Sequence, residues 1–163
     1  MKKIIESKLS KTKDSKQTPS IIGWREWLSL PELKIKNIKA KIDTGAKTSA
    51  LHAFDIEIIK KGKKKFVNFK IHPEQRNQKK VIKTQSELIE QRLVKNSGGK
   101  VTLRPVIITE IKLGPLKWNI EITLVNRDEM GFRMLLGRDA IKNFLLVNPG
   151  KSFLIGKKKR RKK

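Results

Sequence analysis

Ile38-Lys39-Ala40-Lys41-Ile42-Asp43-Thr44-Gly45-Ala46 is the stretch on which the reading of this chain turns. Ile38, Ala40 and Ile42 alternate with Lys39 and Lys41, the period of two that marks a strand with one face in a core and the other in water. That strand runs straight into Asp43-Thr44-Gly45. Taken alone, the triplet also fits an ordinary Asx-type turn at a strand end, where an aspartate caps nearby backbone. The choice between a plain turn and a functional carboxylate therefore has to come from the rest of the chain.

Working outward, the same alternation recurs. Phe54–Ile59 and Phe66–Ile71 flank the polar turn Lys60–Lys65 and predict a hairpin. Val101–Leu113 is long, rich in β-branched residues and stopped by Gly114-Pro115. Trp118, Ile120, Ile122 and Leu124 alternate with Lys117, Asn119, Glu121 and Thr123, the clearest half-buried strand of the chain. Asn148-Pro149-Gly150-Lys151 reads as a turn. Residues 73–95 are ambiguous. Pro73–Lys80 is a polar loop; Leu88, Ile89, Arg92 and Leu93 fit a helix, while Val81-Ile82 and Leu93-Val94 fit strands, and the strand reading is preferred. Many short strands joined by turns imply an all-β sandwich or closed barrel. One short helix is expected near the C-terminus, over Arg138–Phe144.

About ninety residues beyond the triplet comes Met134-Leu135-Leu136-Gly137-Arg138-Asp139, a short apolar run into Gly-Arg. A hydrophobic strand into Asp-Thr-Gly-Ala, followed later by apolar residues into Gly-Arg before a short helix, resembles the retroviral-type (retropepsin-like) aspartic peptidase pattern. Gly23-Trp24-Arg25-Glu26, Lys41–Leu51, Arg104-Pro105-Val106-Ile107, Asn126-Arg127-Asp128, Gly131–Gly137 and Asn148-Pro149-Gly150 are, more closely, similar to a bacterial family often labelled "ATP-dependent zinc protease". The resemblance covers nearly all of residues 21–156.

The resemblance implies an aspartic endopeptidase with Asp43 as its catalytic carboxylate. Such chemistry needs two carboxylates close enough to share one proton; the ionised one activates a water and the protonated one polarises the scissile carbonyl. The chain holds one such motif and no internal repeat, so a homodimer is expected to supply the second Asp43 across a two-fold axis. By the same resemblance Thr44 would hydrogen-bond beneath the dyad. Gly45 would let the backbone pass close to the carboxylates, and Ala46 would stand beside the substrate, a peptide or protein. Gly137 and Arg138 would support the loop. Asn96-Ser97-Gly98-Gly99 is the candidate flap tip, with a plain hairpin turn as the alternative for Ser97, Gly98 and Gly99. Viral relatives carry an acidic residue after Gly-Ala that pairs with the Arg; here Lys47-Thr48-Ser49 occupies that region, so Arg138 lacks this partner, and a Lys47–Asp139 pair is a possible replacement.

Composition bounds the rest. The chain has 163 residues, enough for one domain, and 40 Lys+Arg against 15 Asp+Glu. Residues 1–20 read as a disordered basic extension, 21–156 as the domain and 157–163 as a basic tail. A formal charge of +14 stays on residues 21–156, so the body itself attracts anions. There is no Cys, which excludes disulfides, thiolate metal sites and Cys nucleophiles and fits a cytoplasmic location. No apolar run is long enough to span a membrane. No cofactor is expected: there is no Walker A loop and no His-Glu-x-x-His. His52 and His72 read as surface or half-buried strand residues, and a zinc site joining them to Asp55 or Glu57 is the minor alternative. The ATP of the family label is taken to belong to an ATP-grasp ligase acting as functional partner. Trp24 and Trp27, flanking Arg25 and Glu26, fit core packing better than base stacking. The basic tails predict nucleic-acid binding without sequence preference. The competing function classes are thus a dimeric aspartic endopeptidase, a non-catalytic module engaging RNA, ribosomal or modified proteins, and, more weakly, a metal-dependent hydrolase.

Overall fold

Strand follows strand with little between, as the alternating pattern demands. A computed structural model describes residues 18–126 and 131–158. The strands are β1 (Ser20–Gly23), β2 (Arg25–Leu30), β3 (Ile35–Asp43), β4 (Ser49–His52), β5 (Phe54–Lys61), β6 (Lys64–Ile71), β7 (Ile82–Glu87), β8 (Glu90–Lys95), β9 (Val101–Leu113), β10 (Leu116–Val125), β11 (Met134–Gly137) and β12 (Leu145–Asn148). A 3-10 turn at Pro31–Leu33 links β2 to β3, and α1 (Arg138–Ile141) is the one α-helix among the described residues.

Seven strands lie in the order β10-β4-β11-β3-β2-β9-β8, and β9 also pairs with β10. Six of them therefore close into a ring, with β8 added outside it. The seam is thinnest between β2 and β9, where Ser29–Lys112 is the one paired position. β5, β6 and β7 form a separate three-stranded sheet, and β1 pairs in parallel with β12. The ring encloses the core. Ile38, Ala40 and Ile42 of β3 point inward with Leu28, Leu51, Ile107, Ile111, Ile120, Ile122, Met134 and Leu136, all buried. This is the all-β architecture the alternation predicts, with a single short helix.

Several expectations sharpen. The hairpin 54–71 closes more tightly than expected: its strands extend to Lys61 and from Lys64, and Gly62, at φ +60°, takes the left-handed turn position. Residues 82–87 and 90–95 are strands, as preferred, because β7 pairs with β6 and β8 with β9; Leu88 and Ile89 form the link between them, and the helical spacing of Leu88, Ile89, Arg92 and Leu93 is not used. The helix is a single turn, stopped before Asn143, whose φ is +80°. The turn at Asn148 forms, with Lys151 N donating to Asn148 O at 3.2 Å. The basic extension expected over 1–20 lies mostly outside the described residues, although Ser20 opens β1; Lys159–Lys163 and Arg127-Asp128 also lie outside. No helix among the described residues is long and apolar enough to cross a membrane.

A buried carboxylate ties the two ends of the domain together. Glu26 is fully buried and accepts hydrogen bonds from Gly23 N at 2.7 Å and from Leu154 N and Gly156 N, each at 2.8 Å. The strap Lys151–Gly156 thereby lies along β2. A Cβ on Gly156 would fall 2.1 Å from Trp27 O, so only glycine allows that approach.

Candidate active site

Asp43 is the last residue of β3, half-buried where its strand leaves the sheet. The loop after it turns on the aspartate itself: Oδ1 accepts from Gly45 N and from Ala46 N, each at 3.1 Å. That is the local Asx-type closure expected of Asp-Thr-Gly. A Cβ on Gly45 would sit 3.3 Å from the same Oδ1, so glycine keeps the backbone close to the carboxylate without crowding it.

The second motif clamps this loop from the side. β11 runs parallel to β3 with Gly137 opposite Asp43 and Leu136 opposite Ile42. Arg138 N donates to Ala46 O at 2.8 Å and Asp139 N to Lys47 O at 3.0 Å. Gly137 N donates to the buried Ser49 Oγ at 3.0 Å, and a Cβ on Gly137 would meet the Thr48 carbonyl carbon at 2.6 Å. Arg138 Nη1 donates to Thr44 O at 2.9 Å. Arg138 thus has a partner after all, a backbone carbonyl of the Asp43 loop in place of a carboxylate. The suggested Lys47–Asp139 pair is replaced: Asp139 Oδ1 bonds Lys142 Nζ at 2.8 Å, and Lys47 meets Asp139 through backbone alone.

The structure therefore brings Asp43, Thr44, Gly45, Ala46, Gly137 and Arg138 into one hydrogen-bonded unit. Ser97, Gly98 and Gly99 stand apart from it, at the tip of the β8–β9 hairpin. There Asn96 N bonds Lys100 O and Gly99 N bonds Asn96 O, each at 3.0 Å, with Gly99 at φ +82°. The base of that hairpin does reach the loop. Arg92 of β8 donates to Glu90 Oε1 at 2.6 Å, to Glu121 Oε2 of β10 at 3.1 Å and, at the 3.5 Å limit, to Thr48 Oγ1. Burial pulls the Arg92 guanidinium down, but its hydrogen bonds to Glu121 and Glu90, and their charges, outweigh that and hold it above the ordinary arginine value. Sequence reasoning passed over Arg92 and Ser49. The Glu90-x-Arg92 spacing was the available signal, since residues two apart share one face of a strand.

The histidines do not fit a zinc ion. His52 is fully buried, not a surface or half-buried residue, because all of β4 is enclosed between β10 and β11. Phe54 stacks on both imidazoles, 6.5 Å from His52 and 4.5 Å from His72, while Asp55 is taken up by Lys70 at 2.5 Å. Among the described residues no three His, Asp or Glu side chains gather as metal ligands. Trp24 and Trp27 are half-buried and lie outside the core; the buried tryptophan is Trp118, whose Nε1 donates to Ala140 O at 2.9 Å.

A closed sheet with one Asp-Thr-Gly loop laced to a Gly-Arg turn defines a retropepsin-like protein. The chain belongs to the RimB-like family, described as retropepsin-like aspartic endopeptidase RimB, which matches residues 21–158. A crystal structure of a protein of unknown function (DUF785) from Legionella pneumophila is similar, with a TM-score of 0.71 and 31% identity over 85% of this chain and 99% of that one. Proteins named probable alpha-L-glutamate ligase are 44% identical over 136 residues in Shewanella halifaxensis and 45% identical over 136 residues in Desulfotalea psychrophila, covering 83% of this chain in each case. The chain spans only 30% and 29% of those two relatives' lengths.

Proposed function

We propose that this chain is an aspartic endopeptidase whose carboxylate dyad forms when two copies bring their Asp43 side chains together. The observation that carries this reading is the laced loop. Asp43 Oδ1 is held by two backbone N–H groups, and among the described residues Oδ2 has no hydrogen-bond partner. A carboxylate fixed through one oxygen offers the other to a partner and a water at no further cost in ordering. Two such groups at close range share a proton, one serving as base toward the water and the other as acid toward the scissile carbonyl oxygen. The water adds to the carbonyl carbon, and collapse of the tetrahedral adduct breaks the C–N bond as the amine takes up a proton. The β8–β9 hairpin would close over the substrate, its base aligned by Arg92.

The relatives named as probable glutamate ligases carry a segment similar to this chain over 30% and 29% of their length, which supports a functional link to a ligase, and the ATP-grasp class is the expected one. The substrate class we favour is a protein tail to which such a ligase has added acidic residues. The body's +14 formal charge suits it. Asp43→Asn tests the core of the reading: cleavage of a glutamate-tailed peptide should vanish while the fold survives. Equal cleavage by the variant, or a wild-type chain that stays monomeric at every concentration and still cleaves, overturns it. A chain that stays monomeric and never cleaves points instead to the non-catalytic binding module.

A further inference from the structure

The strongest feature left unused by this reading is a basic, aromatic face that begins at the end of β3 away from Asp43. A cavity of about 250 Å³ opens there, lined by Lys36, Lys112 and Lys157 beside Trp27, and no carboxylate lines it. Lys36 and Asp43 lie seven residues apart along β3, roughly 20 Å at the rise of a strand. The cavity is therefore separate from the Asp43 loop. Lys112 also stands 3.8 Å from Glu110, a loose pair.

The cavity continues into a ladder of rings and cations. Arg25 and Trp27 alternate along β2 with the buried Glu26 and Leu28, and pair in register with Lys41 and Lys39 of β3. Trp27 stacks on Phe153 of the strap at 6.2 Å, and Lys39 and Lys158 each approach its ring to 5.3 Å. Arg25 lies 4.5 Å from the Trp24 ring and 5.1 Å from Phe153. In sequence, Lys159-Arg160-Arg161-Lys162-Lys163 continue directly from this strap.

We infer that this face binds single-stranded nucleic acid, with backbone phosphates at the cavity lysines and a base against Trp27. Three lysines line one cavity and only Lys112 has an acid beside it, so the cavity favours polyanions, and phosphates release counterions when bound. The rings discriminate further. A carboxylate-rich peptide would use the lysines alone, whereas a base, whose face stacks on an indole, would also extend the Trp27–Phe153 stack. The inference does not depend on Asp43.

The test uses the full chain and a fluorescein-labelled oligouridylate of about 12 nucleotides, within the usual span of one binding module, followed by anisotropy across a salt series. Wild type should bind, with Trp27 fluorescence quenched. The surface variant Lys36→Gln/Lys112→Gln should bind several-fold more weakly and lose about 1.4 from the log–log salt slope, the value for two phosphate contacts on a single strand. Trp27→Leu should bind about fivefold or more weakly, as loss of one stacked base predicts. Asp43→Asn should bind as wild type. An unchanged affinity and slope in the double lysine variant, with binding abolished when residues 159–163 are removed, would reduce the effect to the tail and overturn the site. So would equal competition by an oligoglutamate of matched charge, which would make the face a general anion sink.

Discussion

Single residues set the tolerances of this site. Gly137 admits no side chain, because its Cβ would lie 2.6–2.8 Å from the Thr48–Ser49 backbone. Backbone cannot swing aside as a side-chain tip can, so Gly137→Ala should destabilise the fold by about 1–3 kcal/mol, the range for overpacking. A denaturant midpoint lowered at unchanged slope would confirm this. Glu26 is the other demanding residue. Its carboxylate accepts three backbone N–H groups, two of them buried, and Glu26→Gln turns a donor toward them. Hydrogen bonds to charged groups contribute roughly 1.5–3 kcal/mol each, so a loss of about 3 kcal/mol is expected in chemical denaturation. A loss under about 0.5 kcal/mol, the size of an ordinary surface substitution, would remove the clasp role. Neither Glu26 nor Ser49 announces itself in the sequence, because a Glu on a strand normally faces water.

At the scale of elements, β8 lies outside the ring, paired with β9 and otherwise fastened by few contacts. Arg92 is the main polar one, linking β8 to β10 and to Thr48 near the Asp43 loop. Its ion pairs are about a third exposed, so each contributes no more than about 1 kcal/mol. Arg92→Met should therefore leave the global fold standing and loosen the hairpin. Amide hydrogen exchange in Glu90–Lys95 should quicken by about tenfold, while β3 and β10 amides keep their protection. Uniform quickening across all strands would show that Arg92 supports the whole molecule instead. At the tip, Gly99 holds φ +82°, and Gly99→Ala should cost about 1 kcal/mol in the hairpin alone.

At the scale of the whole molecule, closure of the sheet makes distant segments interdependent. The strap after β12 is held by Glu26 and covers β2, so a chain ending at Lys151 should lose its cooperative thermal transition. One ending at Lys158 keeps the strap and should retain it. A full transition in the shorter chain would show that the ring closes without its strap. The same scale governs the proposed dyad, since one copy presents one Asp43. Lys36 of the cavity and Asp43 sit at opposite ends of β3, so substitution of the cavity lysines should leave the Asp43 loop intact.

The sequence alone determined the strand class, the inward face of β3 and β10, and the pairing of an Asp-Thr-Gly-Ala loop with a later Gly-Arg turn. Those features are periodic or local, and periodicity is written into neighbouring residues. Only the tertiary structure decided the partners. The Thr44 carbonyl receives Arg138 across 94 positions, Gly137 finds Ser49 across 88, and Glu26 reaches Gly156 across 130. It also gave the strands of 82–87 and 90–95, preferred from sequence, their partners, and it moved Trp27 from the expected core to a basic surface. Such contacts depend on which strands become neighbours when the sheet closes, and no window of local sequence carries that information.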